Sequence, residues 1–435
     1  MEPSTGNRAP GDDAEDSSRP GYTGRFSSDA GPSRSGTEGR FSSDAEPSRS
    51  GIEGRFSSDA ERIAAFGRAI DALKRDVEAR LGAEDVAHIQ GVRTVSTVLE
   101  VAGRALVHFS LEPISFGVGV AALSVHKALE LMEIGHAALH GAYDWLPGAE
   151  AFRADTFRWR APIDEESWRE AHNVRHHQYT NIVGRDPDLD FGGLRLSPRV
   201  RYRPLHALQP VSNLATWLNF ATAINAHVTG LLDVYFGGGD DKPLQLRDRS
   251  LRSVVRAHRR FFRKAAAYYA REYVLFPMLA GPFFWKVLLG NVLSEIARDV
   301  YAGAIIYCGH VGATDFPADT RATGRAQFYV AQVEATCNTD VPPLVSVLSG
   351  ALDRQIEHHL FPRLPPNRLR EIAPRVRELC REHGISYREE TWPRRLRSVL
   401  RVLTSLRHDD SEFSGSVSSR RRERSEPPDE SSARE

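Results

Sequence analysis

Eight of the sixteen histidines in this 435-residue chain fall into three short motifs plus one isolated position: His136 with His140, His172 with His176 and His177, His358 with His359, and His310 alone. Random placement would give roughly 0.6 adjacent pairs and roughly 0.6 pairs four apart. Two of each, all inside three motifs, is an excess. Histidine is the commonest side-chain ligand for redox metals, and eight are too many for one ion.

Spacing turns the motifs into geometry. In HAALH (136–140) the two histidines lie i and i+4 on one helical face, so both imidazoles reach the same place. HNVRHH (172–177) repeats the pairing with His172 and His176, while His177 is rotated about 100° around the helix axis and can reach a second metal. In QIEHH (355–359) Gln355 stands i, i+3 and i, i+4 to His358 and His359. Facing helices could hold two ions between them. An imidazole-rich set with few carboxylates suits iron, copper or zinc rather than magnesium or calcium.

Any one HxxxH alone reads equally as a pair of surface or half-buried histidines; three motifs together do not. The other histidines, His88, His108, His126, His206, His227, His258, His383 and His408, lack such company and read as structural or solvated. No HExxH occurs, which excludes the zinc-peptidase motif.

Composition is deceptive. Net charge is zero and mean hydropathy is −0.40, as in a soluble protein, and no nucleic-acid partner is expected. But residues 1–57 and 409–435 are nearly free of apolar side chains and dilute the average, and both are expected to be disordered tails. The first carries a fifteen-residue repeat, GRFSSDAGPSRSGTE from Gly24, GRFSSDAEPSRSGIE from Gly39 and GRFSSDAE from Gly54, too short and polar to stack a core. No apolar run of seven occurs in the first sixty positions, so no secretory leader is expected. Cys308, Cys337 and Cys380 form no CxxC; this fits a reducing compartment and argues against an iron–sulfur cluster, so electrons must come from elsewhere.

Order is expected from Ser58, where Ser58 to Glu61 reads as a capping box. Ile63, Phe66, Ile70, Leu73 and Val77 then recur at helical spacing, giving an amphipathic lead-in over 58–90 that packs on the core or lies on a membrane. Two apolar regions follow. Val95 to Ile134 breaks at Glu112 and Pro113, and Tyr273 to Tyr307 has Lys286 near its middle; each fits a hairpin of two membrane helices. Glu130, Glu133, Glu295, Arg298 and Asp299 weaken the transmembrane pattern and would face the bundle interior. HAALH follows the first hairpin and His310 the second, and an even number of crossings keeps every motif on one side. Arginines between Asp144 and Glu272 make that side the cytoplasm. The uncharged stretch from Leu205 to Leu232 reads as interfacial, with a further buried helix as the alternative.

MEIGHAALHGAYDW (132–145), WREAHNVRHHQYTNIVGRDPDLDF (168–191), IIYCGH (305–310) and RQIEHHLFPRLPPNRLREIAPRVRELCREHGISY (354–387) resemble the corresponding stretches of membrane fatty-acid desaturases. The resemblance covers roughly residues 90–390. It is nearest to bacterial acyl-CoA desaturases of the stearoyl-CoA type, and QIEHHLFP is shared with front-end desaturases. It implies an all-α integral membrane protein of four helices in two hairpins, with a cytosolic helical cap carrying a di-iron site, in a domain over 91–390 followed by a helical end and charged tail over 391–435. His136, His140, His172, His176, His177, His310, His358 and His359 would ligate two irons, with Gln355 as a further ligand or as a donor beside the metal. Asn173, Asp186 and Asp188 are candidates to accept the imidazoles' other N–H. Arg158, Arg160, Arg169 and Arg175 could meet coenzyme A phosphates, or form a solvated or lipid-facing surface.

Two departures stand out. No His-Pro-Gly-Gly occurs, so no fused haem domain is expected, and Ala137 replaces a residue often polar in the family. The reading is an O2-dependent desaturase, multi-pass in the inner or plasma membrane with its site on the cytoplasmic side. It would place a cis double bond in an acyl chain carried on coenzyme A, a carrier protein or a phospholipid. A separate ferredoxin, b-type cytochrome or flavin reductase would supply electrons. A hydroxylase or conjugase on the same scaffold and a non-catalytic metal-containing lipid-binding protein are the alternatives.

Overall fold

The computed structural model describes residues 58–237, 245–246 and 248–408; the expected tails, 1–57 and 409–435, lie outside the described residues. The chain is mostly helical. Helix α1 (Asp59–Ala79) starts where the Ser58 hydroxyl accepts the Glu61 N–H at 3.2 Å. Its apolar stripe, Phe66, Ile70 and Val77, is buried against two later helices, α10 (Arg325–Glu334) and α13 (Pro366–Glu382), so it packs on protein.

The first apolar region folds as a hairpin of two helices. α2 (Ala83–Phe109) and α3 (Pro113–Leu129) meet at a break where the Glu112 carboxylate accepts the N–H groups of Ile114 and Ser115 and Pro113 opens the new helix. The second comprises α8 (Leu251–Tyr269, extended by Ala270–Leu275 and Phe276–Leu279) and α9 (Phe284–His310). Lys286 sits at that turn and donates to the carbonyls of His108 and Ser110, 3.0 and 2.7 Å away, so the two turns are tied together. Both lie at the hairpin ends remote from the histidine motifs.

By length and composition one helix among the described residues, Pro113–Leu139, could cross a membrane. The other three hairpin helices carry charge; α8 exposes Arg252, Arg256, Arg259 and Arg263 along its first turns, while the charges nearer the middle of the hairpins turn inward. Lys127 of α3 pairs with Glu272 (3.1 Å) and Glu295, and Arg104 of α2 with Glu272 (2.8 Å), all between the hairpins, while Arg298 pairs with Asp299 (2.9 Å) and Glu295 within α9. The outward faces carry Val98, Val101, Phe109, Ile114, Met278 and Trp285, all exposed.

The stretch 205–232 divides. α5 (Gln209–Leu218) stays largely uncovered, α6 (Phe220–Val228) is mostly buried, and α7 (Leu231–Phe236) begins at its end. Two short strand pairs qualify an all-α description: β1 (Asp190–Phe191) with β2 (Leu194–Arg195), antiparallel, and β3 (Asn338–Asp340) with β4 (Glu389–Thr391), parallel. The second pair draws the chain after α13 back toward α12 (Gln355–Leu360) and leads into α14 (Trp392–Ser405), whose Val399 and Leu403 join the main core. One apolar cluster holds α4 (Glu165–Trp168, extended by Arg169–His176 and His177–Tyr179), the end of α3 and α9. A second buries Ile356 and Leu360 of α12 with α1, α10 and α13. The histidines lie where the two clusters meet.

Candidate metal centre

α3 and α4 both change winding as they reach the site. α3 runs as π-helix over Glu130–His136 and α4 over Arg169–His176. In α4 the His177 N–H donates to the His172 carbonyl, five residues back. This adds a contact to those expected from α-helical spacing. His172 and His176 remain stacked with ring centres 5.1 Å apart, but His172 Nε2 faces His177 Nε2 at 3.3 Å, whereas His176 faces α9 and α12. A π turn closes its hydrogen bond on position i+5 instead of i+4, which brings His177 beside His172.

The ligand-capable atoms gather into overlapping sets, each within 4.8 Å: His136, His140, His172 and His358; His176, His310 and His359; His177, His358 and His359; and His172, His176 and Asp188. His136 Nε2 lies 3.1 Å from His140 Nε2 and 3.2 Å from His358 Nε2. A ring nitrogen has either one proton or one in-plane lone pair, so hydrogen bonding satisfies one such contact well and not two. Metal–nitrogen bonds of about 2.1 Å at tetrahedral or octahedral angles put neighbouring nitrogens roughly 3.0–3.4 Å apart, so the spacing fits imidazoles converging on a cation. His359 Nε2 is buried with no hydrogen-bond partner, as are His177 Nδ1 and His310 Nδ1. Burial, reinforced by neighbouring rings, holds His140, His172, His177, His358 and His359 well below the ordinary histidine range, so these rings are neutral with free lone pairs.

His176 differs. Burial opposes its protonation, but the carboxylates of Asp186 and Asp188 outweigh burial and raise its imidazole to about 9. The Asp186 oxygens lie 3.1 and 3.2 Å from His176 Nδ1 and accept the backbone N–H groups of Asn181 and Asp188. This orients Nε2 toward His310 and His359. Asp188 is 3.4 Å from the same Nδ1 and accepts from His227 Nε2 at 2.9 Å, so the solitary His227 stands behind the site. Asn173 donates to the Leu139 carbonyl at 2.9 Å and so ties α4 to α3 instead of meeting an imidazole. The Gln355 amide lies 2.6 Å from His310 Nε2, at the edge of the set.

The four arginines do not converge. Arg160 pairs with Glu100 at 3.1 Å and Arg175 with Glu170 at 3.3 Å. Arg158 and Arg169 line a cavity of about 450 Å³ whose walls also carry Asp155, Asp164, Glu165 and Glu166. Trp168 stacks on His172 at 4.5 Å and meets His136 and His140 edge-on, forming a wall of the site. Its position four residues before His172 was a usable signal. Thr180 and Gln332, which touch His359, lie outside the histidine spacings.

Residues 114–391, more than half of the chain, match the family model for fatty acid desaturases. The chain belongs to that family. The NADPH-dependent stearoyl-CoA 9-desaturase of Mycobacterium tuberculosis is 33% identical over 325 residues, 73% of this chain and 74% of that protein. An acyl-lipid 8-desaturase of Rebecca salina is 29% identical over 55% of this chain and 50% of its own length. The sn-1 linoleoyl-lipid 6-desaturase of Arthrospira platensis is 24% identical over 63% of this chain and 71% of its own length. Fatty acid desaturases are oxidoreductases, generally membrane-bound and generally di-iron, that act on fatty-acyl chains with an electron donor, and this desaturase has histidine groups able to hold metal.

Proposed function

We propose that this desaturase introduces a cis double bond into a long acyl chain carried as a coenzyme A thioester, at two irons held by its eight clustered histidines. The observation that carries the proposal is the convergence of imidazole nitrogens from α3, α4, α9 and α12 on one buried place. His136, His140, His172 and His358 would hold one iron and His176, His310 and His359 the other, with His177 completing a position between them. When bound, the iron pair would activate dioxygen for removal of two hydrogens from adjacent methylenes. The overall balance is one alkane unit, O2, two electrons and two protons giving one alkene and two waters. The protein keeps most of the rings neutral by burial, fixes His176 through Asp186, and walls the site with Trp168.

Coenzyme A is favoured over a lipid carrier because the mycobacterial relative, named for stearoyl-CoA, matches across most of both chains. Electrons would come from a separate ferredoxin, b-type cytochrome or flavin reductase. Membrane insertion through α2, α3, α8 and α9, with the histidines on the cytoplasmic side, is supported by the apolar outward faces and the joined turns.

The test is expression in a host of known lipid composition, with mass spectrometry to locate new double bonds. The wild-type chain should yield an alkene, and His176→Ala or His359→Ala should yield none. A hydroxy acid in place of the alkene, or full activity in either variant, contradicts the proposal.

A further inference from the structure

Gln332 belongs to none of the motifs that contain the histidines. It lies on α10, its side chain is 3% exposed, and its Oε1 stands 2.9 Å from His359 Nδ1 and 3.0 Å from Thr180 Oγ1. The Thr180 hydroxyl is also 2.8 Å from the His176 carbonyl and 3.2 Å from His359 Nδ1. Three elements of the site, α4, α10 and α12, are thus joined at one point behind two histidines.

Tautomer follows from this arrangement. An amide oxygen only accepts, so Gln332 Oε1 holds the single ring proton of neutral His359 on Nδ1 and leaves Nε2 as a lone pair. That Nε2 is the buried atom without a hydrogen-bond partner in the set with His176 and His310. The opposite amide orientation would place N–H against Nδ1 and force the proton onto Nε2, where it would point into the imidazole cluster with no acceptor. A proton there would occupy the lone pair a metal needs, so only the orientation with oxygen toward the ring leaves His359 able to bind one.

The two rings of this set also rest on different acceptors. His176 faces the Asp186 carboxylate, while His359 faces an uncharged amide. A carboxylate partner makes an imidazole a stronger electron donor to a metal than a neutral partner does.

We propose that Gln332 is a positioning residue for the metal centre: its amide oxygen selects the Nδ1–H tautomer of His359 and, being uncharged, keeps that ring a weaker donor than His176. The inference rests on the reading of His359 as an iron ligand.

The experiment uses the full chain, purified in detergent after growth with iron, as wild type, Gln332→Glu, Gln332→Leu and His359→Ala. Iron retention against a chelator and the Mössbauer spectrum are measured without substrate turnover. Gln332→Glu keeps the shape and changes the acceptor to an anion, so it should retain both irons and shift the spectrum of one of them. Gln332→Leu removes the acceptor and should weaken retention of one iron by about 10–100-fold. Gln332→Glu is the deciding variant. If its spectrum and iron retention are indistinguishable from wild type, the inference is overturned, even if the leucine variant fails to fold. His359→Ala separates the two levels: if it keeps both irons with an unchanged spectrum, the ligand reading itself has failed.

Discussion

At the residue scale, the site is built from one side-chain type in two electrostatic settings. Most of the rings are neutral because burial penalises their charged form, and neutrality is what a metal ligand requires. His176 is the exception, since the Asp186 carboxylate is itself fixed by two backbone N–H groups and cannot turn away. Asp186→Asn therefore removes the largest influence raising His176, leaves burial dominant, and lowers its imidazole from about 9. The same change removes the anion that orients the ring. Metal affinity at that position should fall by about 10–100-fold, read by chelator competition on purified protein; unchanged affinity would show that Asp186 does not orient a ligand.

At the element scale, the two π-helical segments decide which histidines face one another. The α3 segment is locked from outside, because Trp159 Nε1 donates to the Glu130 carbonyl at 2.9 Å. Gly135 makes room for that indole: a Cβ there would lie 1.8 Å from Trp159 Nε1. Gly135→Ala should displace Trp159, break its bond to Glu130 and cost about 1–3 kcal/mol or more. The expected readout is a lower melting temperature together with reduced iron retention; a melting curve like that of wild type would mean the segment tolerates repacking. The histidine positions and the helix break at Pro113 were legible in the sequence, since HxxxH spacing and an N-terminal proline have direct geometric meaning. The partition of those histidines was not. It depends on winding changes set by tertiary contacts such as Trp159 with Glu130, from residues 29 apart in the chain. Gln332 was illegible for the same reason, standing 27 residues from the ring that it touches.

At the scale of the whole molecule, the hairpin helices hold charge between them and carry apolar outward side chains near their turns. A hydropathy average taken along a helix sums both faces, so α2 and α9 read as weak spans although outward residues such as Val98, Val101 and Trp285 are apolar, while α8 also exposes arginines on its first turns. The inward charges close on one another, with Lys127 between Glu272 and Glu295 and Arg104 beside Glu272. Removing one member leaves buried charge uncompensated. Lys127→Met should destabilise the protein by about 3–5 kcal/mol, seen as a large drop in the thermal stability of the detergent-purified protein. Stability equal to wild type would mean that water reaches these carboxylates. The same inward charges let the sequence place two hairpins while leaving their insertion open.

The most direct measurement takes metal content and product from one preparation of the full-length protein, made in cells with ample iron. Two irons per chain are expected and, with a long-chain acyl-CoA, dioxygen and an electron donor, a product with one new cis double bond. Two zinc ions per chain and no double bond would contradict the proposed function.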